Sequence, residues 1–112
     1  MRGETRRATI ARLNDHFRFT GDDGWTYLSR KVAVMPITAK EAVIRAVRIF
    51  DAFTPDNDPH GEHDCAVLTV AGERIMWKID YYPRDRARSN DPDPIDPATT
   101  LRVMTIMLAE EY

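Results

Sequence analysis

One cysteine, Cys65, is all the thiol the chain contains, so an intramolecular disulfide is excluded, and no Cys/His spacing resembles a zinc framework. A reducing cytoplasm is the expected setting. Long apolar runs are also missing. Stretches such as residues 32–35 and 106–109 reach about four residues, against ~20 for a helix that crosses a bilayer. The basic opening, residues 1–9, is not followed by the apolar segment of a secretion signal, so neither secretion nor membrane insertion is expected. Glycine-rich phosphate loops, a G-x-S-x-G nucleophile turn and an H-E-x-x-H zinc helix are all absent, which removes the commonest enzyme signatures.

What the chain does have suffices for one core. Its 112 residues, 43% hydrophobic with two Trp, four Tyr and four Phe, predict a single domain over residues 1–112 that needs neither disulfides nor metal. The net charge of −2 conceals a gradient: residues 1–50 hold ten Lys/Arg against five Asp/Glu, and residues 51–112 hold six against thirteen. No concentrated basic stripe results, so direct nucleic-acid binding is not expected.

Ile10, Leu13 and Phe17 recur at helical spacing among Arg6, Arg7, Arg12, Asn14 and Asp15, which predicts an amphipathic helix over residues 5–18. The Gly21-Asp22-Asp23-Gly24 turn leads into a predicted strand over residues 25–35, ending before Pro36. Thr38 with Glu41 reads as a capping box for a second helix bearing Val43, Ala46, Val47, Phe50 and Phe53, closed by Thr54-Pro55. Residues 54–64 read as a loop.

Two strands follow, residues 64–70 and 74–82, joined near Ala71-Gly72-Glu73. A turn centred on Gly72-Glu73 sets Leu68 opposite Trp77; one centred on Ala71-Gly72 sets Ala66 there. Either register gathers Ala66, Leu68, Val70, Ile75, Trp77 and Ile79 on one face and His63, Cys65, Val67, Thr69, Met76, Lys78, Asp80 and Tyr82 on the other, because side chains alternate. After a polar Pro-rich connector, Asp96 as N-cap and Pro97 at the first helical position predict a terminal helix carrying Leu101, Met104 and Leu108. The fold class read from this order, α-β-α-β-β-α, is α+β, a small antiparallel sheet against about three helices. Glu110 and Glu111 then sit unfavourably at the negative end of that helix, calling for a compensating cation.

Three constellations bear on chemistry. The loop set Asp56, Asp58, His60 and Gly61 imitates the start of a calcium loop, but the twelfth place is Val67 where a bidentate Glu is needed. His60 and His63 at i, i+3 are explained by turn chemistry, and no metal or other cofactor is expected. Hairpin geometry sets His63 across from Asp80 or Tyr82, with Lys78 on the same face, and Cys65 is the only obvious thiol nucleophile beside it. Arg84, Arg86 and Arg88 read as a solvated loop.

The motifs N-D-P-H-G-E-H-D (57–64), W-K-I-D-Y-Y (77–82), D-P-I-D-P (93–97) and T-I-M-L-A-E-E-Y (105–112), in this order, resemble a small bacterial family of unknown function. Its members are short single-domain proteins frequent on plasmids and other mobile DNA. The family pattern contains Glu62, His63, Asp64, Lys78, Asp80, Tyr81 and Tyr82, and these are the binding residues the resemblance implies. His60 and Cys65 fall outside it. The resulting expectation is a non-catalytic interaction module with a protein partner, acting on a host system such as a nucleic-acid defence complex. A homodimer is compatible with it. The competing expectation is a small hydrolase or nuclease using His63 with Asp80, and Lys78 beside them, for acid/base work.

Overall fold

In the computed structural model, which describes residues 4–85 and 91–112, α1 spans Arg6–Thr20. The Thr5 hydroxyl caps it by accepting from the Ala8 amide at 3.2 Å, and Gly21, with a φ of 77°, ends it in the left-handed conformation that glycine adopts most readily. Strand β1, Gly24–Leu28, is shorter than the alternation suggested. Ser29 stops it by capping a one-turn helix α2, Arg30–Ala33, accepting from the Val32 amide. Helix α3, Ile37–Arg48, begins at Pro36 with no side-chain cap, so the Thr38–Glu41 box is not used. It also stops before Phe50 and Phe53, which pack from the following loop.

The hairpin forms as β2, Cys65–Val70, and β3, Glu73–Pro83, with Ala66 opposite Trp77, the register of the Ala71-Gly72 turn. Both turn residues have positive φ, as the tight two-residue turn matching strand twist requires. The predicted terminal helix is instead a strand, β4, Thr100–Leu108, closed by a 3-10 turn over Ala109–Glu111. Asp96 does cap a turn, accepting from the Ala98 amide, but the turn is not continued. The sequence misleads here because β4 lies inside the sheet. Its two faces are both largely apolar, and an unbroken apolar run also satisfies a helical period. Glu111 therefore meets no helix end. Its carboxylate accepts from the Leu108 amide and the Ser29 hydroxyl, both at 2.7 Å, and Lys31 lies 3.4 Å from Glu110.

The sheet order is β1-β4-β3-β2, with β1 parallel to β4 and the other neighbours antiparallel. The architecture is α+β, and the sheet is mixed rather than antiparallel throughout. Phe17, Val32, Val43 and Val47 of the helices pack on Ala66, Ile75, Trp77, Ile79, Met104 and Ile106, all from one face of the sheet. Each fully buried side chain of this kind is worth about 1.5–3 kcal/mol relative to exposure. Gly24 sits where any Cβ would overlap the Phe17 ring and the Arg102 carbonyl, so α1 crosses the start of β1 at a distance that no larger residue allows. No helix among the described residues is long and apolar enough to cross a membrane.

Candidate functional site

The residues expected to form one cluster are divided between the two sides of the sheet. His63 has a φ of 54°, a conformation in which the chain turns before β2 begins, so its ring leaves the face that strict alternation assigns to it. It stacks on Phe53 with ring centroids 3.8 Å apart and planes 5° from parallel, and Phe53 packs edge-on against Trp77. His63 thus belongs to the helix-covered side. Lys78 and Asp80 alternate with Trp77 and Ile79 and point the other way, joined to each other at 2.6 Å. The expected pairing of His63 with Asp80 is therefore corrected: the imidazole's carboxylates are Asp15 and Asp58.

Asp15 anchors the covered-side cluster. Both of its oxygens lie 2.9 Å from His63 Nδ1, and its Oδ1 also accepts from Arg18 Nη2 at 2.8 Å. Arg18 is almost wholly buried. Its Nη1 donates to the Val47 and Arg48 carbonyls at the end of α3, where a cation also opposes the helix dipole. Arg18 Nε and Trp77 Nε1 are buried donors without a hydrogen-bond acceptor among the described residues, and the guanidinium carbon stands 4.8 Å over the Trp77 ring. Burial pulls the Arg18 guanidinium below its ordinary pKa, with Asp15 opposing the shift. On the far side of the imidazole, Nε2 faces Asp58 at 3.6 Å, an ion-pair distance but not a hydrogen bond, while Asp58 accepts from the His63 amide. Each ring nitrogen thus faces a carboxylate. The arrangement fastens the loop between α3 and β2 to α1, with Nδ1 hydrogen-bonded to Asp15 and Nε2 held only at ion-pair distance from Asp58.

A second buried polar group extends the same side. Asn14, fully buried, donates to the Glu62 carbonyl at 3.0 Å and the Tyr81 hydroxyl at 2.9 Å, and accepts from Arg102 Nε at 2.7 Å. Burial pushes the Tyr81 phenol above its usual pKa, with the Asn14 hydrogen bond opposing, and burial lowers the Arg102 guanidinium. Sequence periodicity set Asn14 among the solvated positions of α1. It is instead the hydrogen-bonding hub beneath that helix, and Glu62 contributes its backbone there.

Two wide depressions flank His63. One, of about 420 Å³, is lined by residues that include Phe19, Arg48, Phe50 and Asp51; the other, of about 490 Å³, includes Thr5, Arg7 and Gly61. Neither encloses the imidazole, although an enzyme pocket would be expected to bury most of its ligand. The Cys65 thiol is pushed up by burial and by Asp64 and Asp58, away from nucleophilic character. His63 does not reach its face, so the thiol, imidazole and carboxylate are not assembled. Among the described residues no three His, Cys, Asp or Glu side chains come close enough to share a metal ion. Arg84 pairs with Asp23 at 2.6 Å, while Arg86 and Arg88 lie outside the described residues.

On the other side of the sheet, the α-helices α1 to α3 contribute no side chain to the buried core among the described residues. The register aligns Trp25, Val103 and Asp80 in one row and Tyr27, Thr105, Lys78 and Cys65 in the next, with Tyr82 beside Leu101. Trp25 is 61% exposed, Tyr27 57% and Tyr82 51%. The Lys78–Asp80 pair lies between them, and its short hydrogen bond holds the ammonium pKa above its ordinary value. Asp64 stands at the margin, its carbonyl accepting from the Ile79 amide. Trp25 and Tyr27 were not foreseen as site residues. Their W-x-Y spacing on a strand is the signal for two aromatics sharing one face.

Neither a curated protein nor a solved structure matches the chain. The family described as "Protein of unknown function (DUF3768)" matches residues 28–111, well over half of the chain and all of α2 through β4, so the chain belongs to that family.

Proposed function

We propose that the chain is a non-catalytic interaction module whose protein partner seats on the open face of the sheet. One observation carries this reading: three large aromatics, Trp25, Tyr27 and Tyr82, stand more than half exposed on the sheet face opposite the one on which the helices build the core. Solvating so much aromatic surface is unfavourable in isolation, and Trp and Tyr are the residues that most often dominate protein interfaces. The Lys78–Asp80 pair supplies a charged feature amid them that a partner must match, which favours specificity over raw affinity. A net charge of −2 and the pairing of Lys78 with Asp80 favour a protein partner over a phosphate backbone. The mobile-DNA setting implied by the family resemblance directs the search for the partner toward host systems such as a nucleic-acid defence complex.

The covered side supports this reading as well, since His63 serves there to hold a loop. The test is crosslinking in the native host, with wild-type chain and Trp25→Ala compared after both are shown to be folded. A partner captured by the wild type and lost with Trp25→Ala is the expected result. Equal capture by both, or no specific partner for either, would defeat the reading.

A further inference from the structure

Strand β2 is an edge strand of the described sheet, and its own residues do little to discourage pairing. Its six residues, Cys-Ala-Val-Leu-Thr-Val, include no charge, proline or glycine, whereas edge strands are usually blunted by such residues, by bulges or by a covering element. Which backbone groups it presents follows from one hydrogen bond. The Ile79 amide donates to the Asp64 carbonyl, so Asp64 turns its polar groups toward β3. Alternation then turns Ala66, Leu68 and Val70 inward as well, and directs the amides and carbonyls of Cys65, Val67 and Thr69 outward. Among the described residues, no hydrogen bond reaches these outward groups.

We propose that the chain dimerises with a second copy of itself by antiparallel pairing of β2 with β2, Val67 lying opposite Val67 of the partner subunit. Three requirements select this register. The outward residues must face one another, and Val67 against the partner's Val67 sets Cys65 against the partner's Thr69 on both sides of the twofold. Each such pair exchanges two hydrogen bonds, about six in all. Directly opposed residues must also share a face, and here Ala66 meets the partner's Leu68 on the covered side while Val67, Cys65 and Thr69 meet on the open side. Finally, the contact must close. Pairing β2 with β1 of another copy is heterologous and would propagate into a filament, but β2 with β2 ends at two. Leu68, which packs against the core and is only half-buried, gains cover from such a neighbour. The product is one eight-stranded sheet with its two open faces on the same side.

This inference does not rest on the partner proposed above, and its test is separate. Sedimentation of the wild-type chain over a concentration series should show a monomer–dimer equilibrium. Val67→Lys, which places two ammonium groups opposite each other at the twofold, should raise the dissociation constant at least tenfold. Val67→Pro removes an outward amide that β3 does not use, and should do the same. In Cys65→Ser/Val67→Cys the only thiols meet across the twofold at about 5.5 Å between Cα atoms, within disulfide range, so mild oxidation should yield a covalent dimer with unchanged circular dichroism. Trp25→Ala should leave self-association unaltered. A wild type that stays monomeric throughout, or a dimer that survives both Val67→Lys and Val67→Pro, would overturn the proposal.

Discussion

The two faces of the sheet use polar and aromatic residues in opposite ways. On the covered face, Asn14, Arg18 and Arg102 are almost wholly buried, and their bonds run to carbonyls and a phenol from elsewhere in the fold, to the Asp15 carboxylate within α1, and between Arg102 and Asn14. Low local dielectric makes such groups costly to leave unpaired, so they specify how α1 sits on the sheet. On the open face, Lys78 and Asp80 satisfy each other at a partly wet site, where an ion pair contributes little to stability. Its aromatics also lie outside the core. The lesson is that the polar residues most visible in the sequence motifs are not all of one kind: some hold the fold, and others remain available to a partner.

Substitutions can break this contrast in order of size. Trp77→Ala, which empties the centre of the covered face, should cost about 3–5 kcal/mol by chemical denaturation. Asn14→Ala should cost about 2–3 kcal/mol, because it leaves Arg102 Nε and the Glu62 carbonyl without the partner that Asn14 gives them. His63→Ala should cost about 1 kcal/mol, reduced by the partial exposure of Asp15, and should speed hydrogen exchange in the loop between α3 and β2. Trp25→Ala and Asp80→Ala should each change stability by less than about 0.5 kcal/mol while weakening partner capture. An open-face substitution as damaging as Asn14→Ala would erase the distinction.

Protonation gives an independent handle on the covered face. The Tyr81 phenol has its pKa raised by burial, so the folded state favours the neutral form. That contribution is fully present below the ordinary phenol value near pH 10 and is lost as pH rises through the folded value. Stability measured from about pH 9 to 12 should therefore fall, and Tyr81→Phe should fall less over the same window. Equal slopes would mean that the phenol is solvated in the folded chain.

The hairpin faces were legible because β2 and β3 alternate strictly, and Ala66, Ile75, Trp77 and Ile79 are buried where that alternation puts them. His63 escaped the pattern through its positive φ, a backbone feature that histidine adopts without any mark in composition. Asn14 and Arg18 were hidden because helical periodicity counts apolar residues, and a buried polar side chain is recognisable only once its partners from β3, β4 and α3 are in place. The β4 strand was hidden by apolarity on both faces. Family motifs also mixed the two sides: Tyr81 and Tyr82 are neighbours in sequence, yet one lies over Arg102 and the other faces solvent.

The chain carries one tryptophan on each face, so collisional quenching of fluorescence reads both environments in the isolated protein. Comparing wild type with Trp25→Phe separates the two signals. The account predicts that the Trp25 component emits at long wavelength and is readily quenched by acrylamide and iodide, while the Trp77 component is protected. A Trp25 shielded from both quenchers in the monomer would contradict it, because the face assigned to a partner would then be covered by the chain itself.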